Sequence, residues 1–190
     1  MFKKLLLLCS VIIIMTSVGY AKEVGGISIP EALTAGSDTL VLNGAGVRTY
    51  VIEIYAAGLF LKKKGSDANA IINADEPMAL RLHILTEAIT SENMKTVFLE
   101  AFQKYNNGNA APSKDKIDTF ISVFNDNINP NDVYDFIYIP AEGLKVYKNK
   151  ELKNTTKGLD FKKTIFRIWL PEKPSDEDKK DLKNAMLSGK

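Results

Sequence analysis

Residues 40–60 read LVLNGAGVRTYVIEIYAAGLF, and this stretch decides what the rest of the chain can form. Two apolar runs, 40–42 and 51–55, flank the segment 43–48, which contains two glycines and one arginine. Apolar, β-branched runs favour strands, and glycine gives the backbone between them a freedom that other residues lack. The pattern predicts two strands joined by a turn that presents Arg48.

Arg48 and Tyr55 are the candidate binding residues of this stretch. A guanidinium is always charged and can hold a carboxylate with two parallel hydrogen bonds. Most arginines lie on the surface, so one interpretation pairs Arg48 with a surface carboxylate and leaves Tyr55 half in the core. The other places both at one end of an apolar cleft that holds a small amphiphile. Positions 48 and 55 of one continuous strand face opposite sides, so this requires a turn or bulge near Thr49 and Tyr50.

The first 21 residues have the layout of a secretory signal peptide. Lys3 and Lys4 precede an apolar run at 5–15, and Gly19 and Ala21 occupy the small positions of a cleavage site. The apolar run is shorter than the roughly 20 residues that cross a bilayer. We expect a signal peptide at 1–21 and one domain at 22–190. The mature protein would then be exported without a transmembrane segment, into the periplasm if the host has two membranes.

The mature chain is formally neutral. The whole sequence has 25 basic and 23 acidic residues, and loss of Lys3 and Lys4 with the signal peptide leaves 23 of each. A nucleic-acid binder needs a basic excess or stripe, so we expect no nucleic-acid partner. About 170 residues suffice for one domain with its own core, and a monomer is favoured.

Residue types that hold cofactors are scarce in the mature chain. The single cysteine, Cys9, lies in the signal peptide, and the single histidine, His83, cannot build a histidine-rich zinc site. The segment 44–49 begins like a dinucleotide-binding loop but lacks the third glycine and leads toward a strand. We therefore expect neither a metal nor a cofactor.

The order of strand and helix patterns indicates the fold class. Alternating or β-rich runs predict strands at 27–29, 39–43, 51–61 and 80–84, and a hairpin at 133–139 and 144–147. Apolar residues at three- and four-residue spacing predict helices at 94–105, 117–124 and 161–169, and Ser175 resembles the first residue of a capping box for a last helix. This order predicts an α+β fold, a largely antiparallel sheet covered on one side by helices.

Several segments carry a resemblance to a known family. LNGAGVR followed by VIEIYAAGLFL resembles the opening hairpin of the chalcone isomerase-like family. Further features agree: Thr90-Ser91-Glu92, Tyr138-Ile139-Pro140 before Gly143, and the segment 161–170. The resemblance implies an open-faced β-sandwich, in which helices cover a curved antiparallel sheet and a ligand cleft lies between them.

The family contains enzymes and binders, and the residues at four positions separate them. Plant enzymes close a chalcone to a flavanone with an arginine, a threonine, a tyrosine and an asparagine. Arg48 matches the first, whereas Tyr55, Thr90 and Val97 replace the others. A tyrosine in the context Tyr-Ala-Ala-Gly instead resembles the fatty-acid-binding members, in which an arginine and a tyrosine hold the carboxylate.

The resemblance therefore implies an exported member of a bacterial branch that is a non-catalytic binder of a fatty acid or a similar amphiphilic carboxylate. The ligand-binding residues would be Arg48, Tyr55, Thr90 and Val97. The alternative is an intramolecular lyase acting on a chalcone-like phenolic substrate, with Arg48 stabilising an enolate. A third hypothesis is a structural partner in an envelope assembly, in which Arg48 is merely structural.

Overall fold

The computed structural model describes residues 21–105, 112 and 114–189, so the predicted signal peptide lies outside the described residues apart from Ala21. The strands are Lys22–Val24 (β1), Ile27–Ile29 (β2), Ala32–Ala35 (β3), Asp38–Tyr50 (β4), Ile52–Leu61 (β5), Met78–Ile84 (β6), Val133–Ile139 (β7), Gly143–Lys148 (β8) and Glu151–Thr156 (β9). The helices are Ala68–Asn73 (α1), Ser91–Tyr105 (α2), Lys114–Ile121 (α3), Leu159–Trp169 (α4) and Glu177–Met186 (α5). Across the described ranges, no helix combines the length and the apolar character that a membrane crossing requires.

Strands β3 to β9 form one seven-stranded antiparallel sheet, in which each strand pairs with its neighbour in the chain. Strands β1 and β2 form a separate two-stranded hairpin. The predicted α+β class with a curved antiparallel sheet is confirmed. The predicted hairpin of β7 and β8 and the helix α4 are confirmed as well.

The two faces of the sheet pack against different layers, as β5 shows. Ala57 and Leu59 belong to the larger core, which the helices share, whereas Ala56 and Phe60 belong to a smaller core that includes Ile29 of β2. Side chains alternate between the faces of a strand, so one strand serves both cores. The helices thus cover one face and the β1–β2 hairpin covers the other.

The predicted turn at 43–48 is wrong, because β4 runs unbroken through both glycines. Gly44 pairs with Leu59 and Gly46 pairs with Ala57 across β5. The chain reverses later, at Val51, whose φ is 63°. Arg48 therefore lies within a strand, two residues before its end, and not in a glycine-rich turn.

The glycines are there because α5 lies directly on the backbone of β4. A Cβ atom on Gly44 would be 2.2 Å from the carbonyl oxygen of Ala185, and one on Gly46 would be 2.7 Å from the Cβ of Ala185. Beside them, the buried amide of Asn43 donates to the carbonyl oxygens of Gly65 at 2.9 Å and Met186 at 2.8 Å. A glycine within a strand often marks such a close approach.

Two further expectations need correction. Asp176 caps α5 instead of Ser175, because its carboxylate accepts the Lys179 N–H at 2.8 Å. Strands β1, β3 and β9 were not predicted from the sequence. Few of their residues are buried, so they lack the apolar alternation by which a half-buried strand is found.

We predict that Gly44→Ala lowers the free energy of unfolding by about 1–3 kcal/mol, because the added methyl group must push α5 away from β4. The matched control is Gly65→Ala, since nothing lies within 4 Å of a Cβ at that position. Its stability should be unchanged or higher by up to about 1 kcal/mol. Urea denaturation of both variants checks this, and equal stabilities would contradict the close-packing explanation.

Candidate functional site

A cavity of about 270 Å³ lies between the sheet and the helices. Its apolar walls come from β5, β6, α2, α4 and α5, and include Ile54, Leu82, Met94, Ile168 and Leu182. Its polar groups are the side chains of Arg48, Tyr55, Asn93 and Lys179. The cavity thus combines an apolar interior with a few side chains that can fix a polar group, as ligand sites do.

The cross-strand register places Arg48 and Tyr55 side by side. The two residues are direct partners in the β4–β5 pair, so their side chains leave the same face of the sheet. A register shift follows immediately, between Arg48 and Thr49, and the turn at Val51 closes the hairpin. The chain therefore reverses and bulges between the two positions, which is the condition that their convergence required.

The Arg48 guanidinium is largely buried, with 11% of its side chain exposed, and it is already paired with a carboxylate. Nη1 lies 3.0 Å from Oδ1 of Asp176, and Nη2 donates to Oδ2 at 3.2 Å. Nη1 also donates to the carbonyl oxygen of Thr49 at 2.8 Å, and Asp178 lies 3.6 Å away. The residue that could hold a ligand carboxylate thus holds an internal one.

Several interactions keep Asp176 ionised. Partial burial raises the pKa of its carboxyl group, but hydrogen bonds from the Lys179 N–H and the Ser175 hydroxyl, together with nearby positive charges, outweigh this effect. The positive charge of Arg48 acts in the same direction, so the pKa of Asp176 lies below its ordinary value. The ion pair therefore persists at neutral pH.

Tyr55 is a neutral hydrogen-bonding group at the same end of the cavity. Burial of its hydroxyl raises the pKa of Tyr55 to about 12, although a hydrogen bond from Trp169 and the charge of Arg48 oppose the shift. Nε1 of Trp169 donates to the hydroxyl oxygen at 3.2 Å. Within the described part of the chain, no acceptor takes the hydroxyl hydrogen, so Tyr55 can donate it to a ligand.

Trp169 is itself held firmly by aromatic packing. Its ring centroid lies 5.4 Å from that of Phe136 on β7 and 6.0 Å from that of Phe98 on α2. Rings at such distances pack favourably, and Trp169 is 4% exposed. The aromatic core therefore fixes the position of the Tyr55 hydroxyl.

The structure brings three of the four residues selected from the sequence to the cavity. Val97 joins Arg48 and Tyr55 in the lining, and its 45% exposure places it at the rim. Thr90 does not line the cavity; its hydroxyl accepts the N–H of Asn93 at 3.1 Å at the start of α2. That hydroxyl is used to cap a helix, as threonine commonly does.

Sequence reasoning missed Asn93, Asp176 and Lys179 as residues of the site. Asn93 precedes Val97 by one helical turn on α2, so the helical spacing could have indicated it. Asp176 and Lys179 come from α5, and Asp176 is 128 positions from Arg48 in the chain. No local pattern connects residues so far apart, because their proximity depends on where α5 packs.

The described residues offer no metal site, since no three histidine, cysteine, aspartate or glutamate side chains among them are grouped suitably. The polar end of the cavity instead combines two cations, Arg48 and Lys179, with the carboxylates of Asp176 and Asp178 beside Arg48. This arrangement can orient the polar head of a small molecule whose apolar part fills the cavity.

We predict that Tyr55 makes the protein less stable at high pH. Its pKa is raised from 10.0 to about 12 on folding, so the folded state keeps a proton that the unfolded state loses above pH 10. Between pH 8 and pH 11 this group alone should lower the free energy of unfolding by about 1.4 kcal/mol. Urea denaturation of the wild type and Tyr55→Phe at both pH values isolates the effect, and an identical pH dependence in the two proteins would contradict it.

Comparisons with known proteins show what the fold is similar to and which family the sequence matches. The fold is similar to the crystal structure of a fatty-acid binding protein from Arabidopsis thaliana, with a TM-score of 0.68 and 18% sequence identity over 86% of this chain and 92% of that chain. No curated protein sequence matches the chain. The model of the chalcone isomerase-like family matches residues 21–188. The chain therefore belongs to the chalcone isomerase-like family.

Proposed function

We propose that the protein is a non-catalytic binder of a fatty acid or a similar small amphiphilic carboxylate. The observation that carries this proposal is the apolar cavity with the adjacent Arg48 and Tyr55 side chains at one end. The guanidinium would hold the carboxylate, the phenol would donate a second hydrogen bond, and the cavity would enclose the acyl chain. The likeness of the fold to a fatty-acid binding protein supports this choice of ligand.

The size of the cavity supports a ligand of moderate length. A methylene group is similar in size to a water molecule, which occupies about 30 Å³ in the liquid, so a cavity of about 270 Å³ accepts about nine such groups. Each buried methylene group contributes about 0.8 kcal/mol, and a hydrogen bond to a charged group contributes about 1.5–3 kcal/mol. Burial of the acyl chain would therefore supply most of the affinity.

The composition of the site argues against ring closure of a chalcone. Three of the four family catalytic positions are changed, to Tyr55, Thr90 and Val97, and Thr90 lies outside the cavity. No histidine, aspartate or glutamate is among the described lining residues, and the nearby Asp176 is paired with Arg48, so its carboxylate is not free to act as a general base. Tyr55, with a pKa of about 12, stays protonated at neutral pH.

We also propose that the mature protein is exported after removal of residues 1–21. The positively charged start, the apolar run and the small residues at the cleavage site support this. Strand β1 begins at Lys22, the first residue after the proposed cleavage site. Cleavage there leaves the described strands and helices intact.

We predict that Arg48→Ala weakens the binding of decanoate about tenfold or more, because a hydrogen bond to a charged group contributes about 1.5–3 kcal/mol and about 1.4 kcal/mol is tenfold in affinity. Isothermal titration calorimetry on the mature protein measures the dissociation constant. The matched control is Arg167→Ala, which removes an arginine of α4 that does not line the cavity and should leave the affinity within about twofold.

Equal affinity of the wild type and Arg48→Ala for decanoate would contradict the proposed role of Arg48. A chalcone absorbance assay on the same proteins tests the alternative function. Turnover that is present in the wild type and lost in Arg48→Ala would show that the protein is an intramolecular lyase and not a non-catalytic binder.

We further predict that affinity for linear carboxylates rises with chain length until the cavity is full. From hexanoate to decanoate, each added methylene group should contribute at most about 0.8 kcal/mol, or about fourfold in affinity. Beyond about ten carbons the gain should become small, because the additional groups remain near the rim. The same calorimetric titration across the series measures this, and an affinity independent of chain length would exclude the cavity as the acyl site.

A further inference from the structure

The ligand-facing arginine is occupied in the protein itself. Asp176 contacts Nη1 and Nη2 of Arg48 through both of its oxygens, at 3.0 and 3.2 Å, as a bound carboxylate would. Arg48 and Lys179 both line the cavity, and Lys179 follows Asp176 by one turn of α5. The first turn of α5 therefore delivers an internal carboxylate to the proposed anion site.

Asp176 can leave this position without disrupting the core, and what movement of its side chain gives up is the cap on the Lys179 N–H. None of the residues from 172 to 181 is buried, and Leu182 is the first buried residue of α5. The C-terminal part of the helix is anchored separately, by Met186 in the core and by the hydrogen bond between its carbonyl oxygen and Asn43. Movement of the Asp176 side chain or of the first turn would leave these contacts in place.

We propose that Asp176 is a specificity-determining residue, an internal carboxylate that an acidic ligand must displace from Arg48. This inference rests on the proposed binding function and deepens it. A ligand carboxylate that enters the site meets two negative charges beside Arg48, those of Asp176 and Asp178. A neutral amphiphile can accept a hydrogen bond from Tyr55 without breaking the ion pair, so it avoids this competition.

The site therefore discriminates by charge, and it does so through unfavourable contacts as well as favourable ones. In a site where Arg48 had no internal partner, a carboxylate would bind much more tightly than an alcohol of equal chain length. Because Asp176 competes for Arg48, the wild type should show a smaller difference between the two affinities. Removal of the negative charge of Asp176 should strengthen the binding of the carboxylate selectively.

The experiment compares decanoate with decan-1-ol in the wild type and in Asp176→Asn. Asparagine has nearly the same shape as aspartate and is an equally good N-cap, so α5 keeps its first turn. The aspartate is 41% exposed, which limits the strength of its ion pair with Arg48. We expect decanoate to bind about two- to fivefold more tightly to Asp176→Asn, and decan-1-ol to change by less than about twofold.

Asp178→Asn is the matched control, because its carboxylate lies farther from Arg48, at 3.6 Å from Nη1. It should strengthen decanoate binding less than Asp176→Asn does. Circular dichroism confirms that each variant retains its helices.

Weaker or unchanged decanoate binding by Asp176→Asn would overturn the inference while leaving the proposed function in place. Equal tightening for decanoate and decan-1-ol would also overturn it, because the cavity would then have opened without regard to charge. A wild type and an Asp176→Asn variant that bind neither ligand would contradict the proposed function itself, and the inference with it.

Discussion

The direct contact between α5 and the backbone of β4 is the constraint on which the site depends. A helix can approach a strand this closely only where the strand has no side chains on the facing side, and Gly44 and Gly46 supply that gap. Asn43 then fixes the end of the helix through its hydrogen bond to Met186. Because α5 is held at this end, its first turn reaches Arg48 and its middle closes the cavity with Leu182.

The polar end of the cavity is rigid on one side and exposed on the other. Tyr55 is fixed by its hydrogen bond to Trp169, which the aromatic core holds in place. Asp176 lies at the exposed start of α5. Its contact with Arg48 joins α5 to β4, and these two elements also pack against each other near the C-terminal end of the helix. Under the proposed function, a ligand would meet a donor that is already held in place, Tyr55, and an arginine that is already paired with Asp176.

The residues around Arg48 bear on whether this site would only bind a ligand, as proposed, or also act on it. The scaffold presents an arginine at the end of an apolar cavity, and the chemistry depends on what surrounds it. Here the other positions of the plant enzymes carry a buried phenol, a helix cap and an apolar rim residue, namely Tyr55, Thr90 and Val97. These groups can bind and orient a molecule, but none is a base at neutral pH.

By itself, the amino-acid sequence determined the fold class, and it proposed Arg48 and Tyr55 as the central pair of the candidate site. Alternation of apolar residues found β2, β6, β7 and β8, and helical spacing found α2 and α4, because each buries one face against a core. Strands β1, β3 and β9 bury too little to leave such a pattern. Arg48 and Tyr55 were selected because an arginine beside the two glycines, followed by a tyrosine in the context Tyr-Ala-Ala-Gly, resembles the pair of the fatty-acid-binding members.

Only the tertiary structure decided the role of the glycines and the state of Arg48. In the sequence, Gly44 and Gly46 suggest a turn. Glycine, however, occurs both where the backbone must turn and where another segment packs closely against it. The partner of Arg48 lies 128 positions away, and it reaches the site only because α5 packs against β4. Local patterns record what a residue can do, whereas the contacts between distant segments decide which of its possible partners it meets.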